Sequence, residues 1–558
     1  MFMVKRHRLF YITIVLVLFL IHCKKGEGPL SLIIVTENFT INTLLINNIQ
    51  RISPVYDVNF SPAVQLSLSA NVNRSTVANG ITLKNASGTD IPYNASFQKG
   101  DSIVLLQTTL APITKYTLSI NSNLKTVRNT ALAGSSSLEI ITHIDSVDKF
   151  PLLTDNELLD KVQRQTFKYF WDFGHPVSGM ARERNTSGDL VTTGGTGFGI
   201  MAIVTAASRN FITRQQAAER VLKITDFLTT KCSRYHGAFA HWLNGGTGAT
   251  IAFSTNDNGA DLVETAFLMQ GLITARQYFN TADATETSLR AKVNLLWNEV
   301  EWNWFQQGNQ NELYWHWSPD KLWTINQRVS GWNEALMVYV MSAASTSFSI
   351  SKAVYDNGWA RNGAMQNNKI FFGTQLPLGP DLGGPLFFEH YSFMGINPNG
   401  LQDVYANYHT QAVNHTKINY EYCKANPKQW YGYSNLTWGL TASDIPNGYH
   451  ASAPGSNDIG IIAPTAAISS IPYTPVESMN ALKFFYYKLG NKIWGEYGFT
   501  DAFALKDPWF ATSTLAIDQG PIIVMIENYR TGLIWNLFTS APEIKTGLKK
   551  LGFTAPYL

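Results

Sequence analysis

Two kinds of hydrophobic pattern divide the chain. Between residues 33 and 145, apolar and polar residues alternate in short runs such as "VQLSLSANV", "DSIVLLQTTL", "YTLSI" and "LEIIT", separated by Asn, Gly, Ser and Pro clusters. A period of two predicts half-buried strands, and their spacing predicts a small β-sandwich. From "LLTDNELLDKVQRQTFKYFWDF" onward the period becomes helical, with Asp155 or Asn156 as the expected cap. Further helices are expected over "GTGFGIMAIVTAASRN", "TRQQAAERVLKITDFLTTK", "ETSLRAKVNLLWNEV", "GWNEALMVYVMSAA", "PVESMNALKFFYYKL" and "GPIIVMIENYRTGLIW". Several are apolar nearly all round, as in helices packed on both sides. Long loops rich in Gly, Asn, Trp and Tyr, such as "YHGAFAHWLNGGTG" and "DLGGPLFFEHYSFMG", join them. Loops of that length inside a domain generally carry function, so paired helices with a loop-built cleft, an α/α toroid, are expected.

The stretch "STNDNGADLVETAFLMQGLI" places Asp257, Asp261 and Glu264 at the entrance of one apolar helix. At helical spacing these positions share a face, so their carboxylates are expected to project together. Capping and the helix dipole account for one or two acids there. A third, a turn into an apolar helix, is costly unless paired, and the run has no basic residue before Arg276. Glu334 in "SGWNEALMVYV" is the sole acid at the head of another apolar helix, and Asp518 stands just before Gly520-Pro521, where capping is the plainer reading. Carboxyl pairs drawn from different helices suit glycoside hydrolysis, in which one group protonates the leaving oxygen and another activates water. Trp242, Phe253, Trp332 and Tyr391 are candidate platforms for sugar rings, with His241, Asn256, His390 and Gln519 as partners for hydroxyls.

Composition sharpens this picture. The chain has 558 residues, of which 45% are hydrophobic, only 15% charged and 13% aromatic, so many rings must serve something besides a core. A formal charge of +3 without dense Lys/Arg runs leaves no nucleic-acid footprint. The N-terminus reads "MFMVKRHRLFYITIVLVLFLIHCKK", a basic segment followed by an apolar run too short to span a membrane, which predicts an export signal. Its end, Leu20-Ile21-His22-Cys23, resembles the lipobox of bacterial lipoproteins, with His22 where a small residue is usual, and makes Cys23 the candidate lipidation site. Cys232 and Cys423, the only other cysteines, lie far apart in sequence, which excludes a disulfide framework and leaves one bridge or two buried thiols open. "GGTGFG" at residues 194–199 lacks a preceding apolar strand and reads as close helix packing rather than a nucleotide turn. No HExxH, CxxC pair, P-loop or GxSxG elbow occurs, the spacing of His390, His409 and His415 fits no standard metal set, and no cofactor is expected.

The first of the two regions resembles bacterial Ig-like modules, usually spacers. From about Leu152 to Phe553 the chain resembles the bacterial glucoamylase-like domain, and more narrowly glycoside hydrolase family 144, the β-1,2-glucanases. The likeness rests on "STNDNGADLVETAFLMQGL", "SGWNEALMVYV", "APTAAISSIPYTP", "YGFTDAF" and "DQGPIIVMIENYRTGLIW". It implies a mainly α protein with an (α/α)6 barrel, no metal, and hydrolysis of β-1,2-glucan with inversion to give sophorose and longer β-1,2-gluco-oligosaccharides. The implied organisation is a signal peptide at 1–23, a tether at 24–32, an Ig-like sandwich at 33–145 and the barrel at 150–558. The family's acidic positions fall on Asp257, Asp261, Glu264 and Glu334. Taking acid and base from different helices, Glu334 is the expected general acid and Asp261 the leading water-activating base, with Asp518 in reserve. Asp257 and Glu264 would bind hydroxyls or tune the others. The expected partner is β-1,2-glucan, met by a monomer that touches the membrane only through its lipid anchor, in the periplasm or at the outer surface of a bacterium. The rival classes are a non-catalytic glycan-binding lipoprotein, an exo-acting sophorose-releasing glycosidase and a polysaccharide lyase, the last expecting a basic cleft that "GADLVETAF" contradicts.

Overall fold

In a computed structural model describing residues 38–558, the alternating region forms two sheets over one apolar core. The expected signal segment and Cys23 lie outside the described residues. The strands are β1 (Ile41–Ile46), β2 (Ile49–Gln50), β3 (Val55–Val58), β4 (Ala63–Leu68), β5 (Ile81–Asn85), β6 (Asn94–Gln98), β7 (Ile103–Gln107), β8 (Lys115–Ile120) and β9 (Ser136–Thr142). One sheet runs β2-β1-β4-β7-β6 and the other β3-β9-β8-β5, with β3 parallel to β9 and the remaining pairs antiparallel. Alternation places Val64, Leu66 and Leu68 of one sheet, and Tyr116, Leu118 and Ile120 of the other, in the shared core. These sheets do not hang free of the helices. Tyr56 stacks on Tyr431 with ring centroids 4.7 Å apart, and Ile113 is buried within a helical core.

The helical region carries α1 (Asp155–Trp171), α2 (Thr193–Ser208), α3 (Arg214–Thr230), α4 (Leu262–Tyr278), α5 (Ala284–Glu299), α6 (Leu336–Ala344), α7 (Tyr408–Ala425), α8 (Pro475–Tyr487), α9 (Ala516–Thr531), α10 (Leu533–Ser540) and α11 (Pro542–Leu551). Thr154, not Asp155 or Asn156, caps α1: its hydroxyl and Glu157 form a reciprocal capping box. The nearly all-apolar α2, α4, α6 and α9 are buried on every side, as their sequences predict. The glycines of "GGTGFG" serve helix packing: a Cβ on Gly197 would lie 2.0 Å from the Phe267 carbonyl oxygen, and one on Gly271 2.1 Å from the Gly197 oxygen. Only hydrogen atoms at both positions let α2 and α4 approach this closely. With α9 against the other side of α2 and α6 beside α4, the helix order α6, α4, α2, α9 brings the N-terminal ends of these elements to one cavity.

Helix starts differ from expectation in two places that matter chemically. Helix α9 begins at Ala516, so Asp518 lies within its first turn rather than before it, and Pro521 is carried inside the helix. Helix α6 begins at Leu336, which leaves Glu334 in the preceding turn.

Candidate active site

A cavity of about 410 Å³ opens at these helix starts, lined by Glu264 and Glu334, by His241, Trp242, Phe253, Trp315 and Tyr391, and across from them by Glu183, Arg184 and Tyr449. The three acids of the opening motif do not share a helix face. Asp257 sits in a turn, Asp261 ends the two-residue strand Ala260–Asp261 and caps α4, and Glu264 lies in the first turn. The chain before Leu262 is extended because Asp261 is paired across to His316.

That pairing supplies the positive charge missing from the local sequence. Asp261 accepts the Glu264 backbone N–H at 2.9 Å and His241 Nδ1–H at 3.0 Å. His316 Nε2 lies 3.2 Å from Asp257 and 3.5 Å from Asp261. Burial lowers the pKa of both imidazoles, yet the Glu264 charge and the Asp261 bond at His241, and the bonds to Asp257 and Asp261 at His316, raise each to about 9. Burial would raise Asp261, but its two histidine bonds outweigh it and hold the carboxyl well below the usual range. His241, Asp257 and Asp261 present donor atoms within 4.8 Å of one another, the geometry of a cation site. The same carboxylates are engaged here by His241 and His316.

Glu264 and Glu334 face the cavity from different surroundings. Glu264 accepts the Gly194 N–H at 2.6 Å and lies 3.9 Å from His241 Nε2, and a Cβ on Gly194 would strike its carboxylate. Burial, with the Asp261 charge, leaves its pKa raised, although the His241 charge and the Gly194 amide oppose the shift. Among the described residues no Lys, Arg or His pairs with Glu334. Burial, opposed by its own amide and reinforced by the charges of Asp261 and Glu264, pushes it up to about 7.

A second acidic cluster lies behind the opposite wall. Arg184 binds Glu183 at 2.9 Å and Asp444 at 3.1 Å, and Asp501 accepts the Asp444 N–H at 2.6 Å. Asp518 and Asp501 each bury a carboxyl oxygen without a donor. Burial, the first cause for both, brings Asp501 to about 6, and with the Asp501 charge drives Asp518 well above the carboxylate range.

Several expected contacts lie elsewhere. Trp332 is a core ring packed on Trp359, Phe393 and Tyr408. His390 is buried, 3.0 Å from Ser470, with burial lowering its pKa to about 3, and Gln519 donates to the Phe499 carbonyl at 2.7 Å. Neither reaches the cavity, because each belongs to an element whose interior face is core. Asn256 sits in an exposed turn, and Asp257, Asp261 and Asp518 are buried behind the lining. Trp242 and Phe253 do line the mouth, with ring centroids 4.7 Å apart and Phe253 4.3 Å from His241. Sequence reading missed His316, Trp315, Glu183, Arg184 and Tyr449; the only local signal for the first two is the run "LYWHWSPD".

The Glycoamylase family ("Putative glucoamylase") matches residues 326–542. A curated relative from Parabacteroides distasonis, an exo β-1,2-glucooligosaccharide sophorohydrolase acting at the non-reducing end, is 45% identical over 428 residues, 73% of this chain. The match spans 59% of that relative's length. The solved endo-β-1,2-glucanase of Chitinophaga pinensis, in complex with sophorotriose and glucose, is 48% identical, with a TM-score of 0.71 over 73% of this chain and 100% of its own. A β-1,2-glucanase structure from Parabacteroides distasonis is 36% identical and covers 92% of this chain and 74% of its own, with a TM-score of 0.70. The chain belongs to the glucoamylase-like family, in the branch of the β-1,2-glucanases and sophorohydrolases, glycoside hydrolase family 144.

Proposed function

We propose that the protein hydrolyses β-1,2-glucan with inversion on an (α/α)6 barrel, releasing sophorose and β-1,2-gluco-oligosaccharides. The observation that carries this is Glu334, a cavity-lining carboxyl paired with no Lys, Arg or His among the described residues and raised to about 7 by burial and by the charges of Asp261 and Glu264. Glycoside hydrolysis with inversion needs a protonated carboxyl and a second carboxyl that takes a proton from water, and what separates the two here is the surroundings: the His241 charge and the Gly194 amide favour the ionised form of Glu264, while the charges of Asp261 and Glu264 disfavour that of Glu334. Glu334 donates its proton to the glucosidic oxygen as the C1–O bond breaks. Glu264, which lines the cavity and is held by Gly194 and His241, takes the proton of the water attacking C1 from the other face. The base role expected of Asp261 passes to Glu264, because Asp261 is buried and occupied by the two histidines. Asp261 instead orients His241 and caps α4. Asp518, raised well above the carboxylate range by burial and the Asp501 charge and lying behind the cavity lining, is not suited to act as a base.

Chromatography of products from β-1,2-, β-1,3- and β-1,4-glucans and starch tests the linkage, and NMR of the nascent anomer tests inversion. Product from β-1,2-glucan alone, as the α-anomer, is expected. Retention without cleavage would favour the glycan-binding reading, and an unsaturated product a lyase. Internal cleavage is the expected mode, as in the Chitinophaga enzyme; the Parabacteroides sophorohydrolase favours a second reading, exo release of sophorose. A fall in viscosity ahead of sugar release separates the two. The same proposal holds that the N-terminal sheets are a spacer, that the protein is a monomer, and that export ends in lipidation of Cys23, which the mass of the mature N-terminus tests.

A further inference from the structure

Outside the cavity lies a group of aromatic rings, two of them, Trp317 and Trp323, resting on the core, that the proton chemistry does not use. Trp302–Gln306 forms a short 3-10 helix in which Trp302 and Phe305, three apart and so on one side, are fully buried. That anchorage turns Trp304 outward, leaving it 39% exposed. Its indole lies parallel to the His236 imidazole, with centroids 3.7 Å apart and planes 14° apart. Trp317 stands edge-on to both rings, and Trp323 flanks Trp304 at 6.4 Å. A polar fringe surrounds them: Glu301 bonds His236 Nδ1 at 2.8 Å, and Asn303 is exposed beside Trp304.

Two chain segments join this shelf to the cavity. The first carries His236 on the shelf and, five residues later, His241 in the cavity wall. The second carries Trp315 in the cavity wall, His316 against the acids and Trp317 on the shelf. Across from them, Ala260 pairs with Trp317 and Asp261 with His316, so the shelf begins one residue pair from the catalytic cluster.

We propose that this shelf, with Trp304 as its platform, is a substrate-binding subsite that holds glucose units of a β-1,2-glucan chain emerging from the cavity. The inference rests on the proposed hydrolase reading and deepens it. A polymer cleaved internally must leave a cavity of about 410 Å³. Flat, partly exposed rings bordered by a carboxylate and an amide are the surface that recognises a pyranose, whose C–H face is apolar and whose edge is hydroxylated. The short segments that tie it to His241 and Trp315 of the cavity wall separate this arrangement from an incidental surface tryptophan.

The test compares a long β-1,2-glucan with a short β-1,2-gluco-oligosaccharide as substrates for wild type, Trp304→Ala and Trp304→Phe, each checked for an unchanged unfolding midpoint. For Trp304→Ala, KM on the polymer should rise about five- to tenfold, the loss of one stacking contact, with kcat/KM on the oligosaccharide within about twofold of wild type. Trp304→Phe should recover part of the loss. In parallel, Glu334→Gln protein should be retarded by β-1,2-glucan in an affinity gel, and the Glu334→Gln/Trp304→Ala double variant less so. Equal effects on both substrates, or none on the polymer, overturn the shelf while leaving the hydrolase reading intact. A wild type inert on every β-1,2-glucan overturns the hydrolase reading itself and removes the shelf's occupant with it.

Discussion

The two acidic clusters beside the cavity are built from the same residue types yet are neutralised in opposite ways. Around Asp257, Asp261 and Glu264, histidines from two other segments bring protons, and the Asp261 carboxyl stays ionised. Around Asp501 and Asp518 the nearby cation, Arg184, is taken by Glu183 and Asp444, so burial raises both carboxyls, the Asp501 charge raises Asp518 further, and a proton on the pair is favoured. A buried carboxyl is thus an ionised anchor or a protonated acid according to what faces it. Glu334 combines features of both, near the first cluster yet without a cation, and this leaves a dischargeable proton at the cavity surface.

Removing that proton should have the largest effect. Glu334→Gln is expected to lower kcat on β-1,2-glucan about 10²- to 10⁴-fold with little change in KM, measured by reducing-sugar release. Wild-type activity within a few fold would transfer the acid role elsewhere.

Asp→Asn in the two clusters should then act with opposite sign. Asp261→Asn strips the counter-charge from His241 and His316 and should destabilise the fold at pH 7 by about 3–5 kcal/mol in denaturant titration. Both histidines are raised to about 9, so the stabilisation they bring is complete below their unfolded pKa and is lost as pH rises through 9. The gap between wild type and variant should close above that pH. Asp518→Asn should instead stabilise by about 1–2 kcal/mol at neutral pH, because an amide can donate to Asp501 without the proton that burial favours on the carboxyl pair. Asp501 is raised to about 6, so the cost in the wild type grows as pH climbs through 6, and the advantage of the Asp518→Asn variant should vanish in acid. Destabilisation by Asp518→Asn at pH 7 would contradict a proton held on the pair.

The smallest effect sharpens the placement of Glu334 between the clusters. The kcat of the wild type should fall as pH rises through about 7, where Glu334 loses its proton. A flat profile from pH 6 to 9 would place another group on the leaving oxygen.

Part of this was legible in the residues alone. The switch from a period of two to a helical period marks where sheets give way to helices, and the all-apolar runs after Leu262 and Leu336 mark helices with no exposed face. The acids at the heads of those runs stand out because carboxyls are costly there. Their partners do not stand out: His316 reaches Asp261 only through a strand pairing that joins distant segments. Trp332, His390 and Gln519 lie outside the cavity lining for a related reason, since an aromatic or polar residue next to an acid in sequence can face the core on the other side of its element.

The order of apolar and polar positions determined the elements, which of them are buried and where unexplained charge sits, because periodicity and desolvation act through near neighbours in the chain. Which carboxyl holds a proton, which ring meets the cavity and which tryptophan stands beyond it were decided only by tertiary structure. Those properties depend on fields and surfaces assembled from segments far apart in sequence, where a shift of one residue in pairing exchanges a histidine for a tryptophan opposite Asp261.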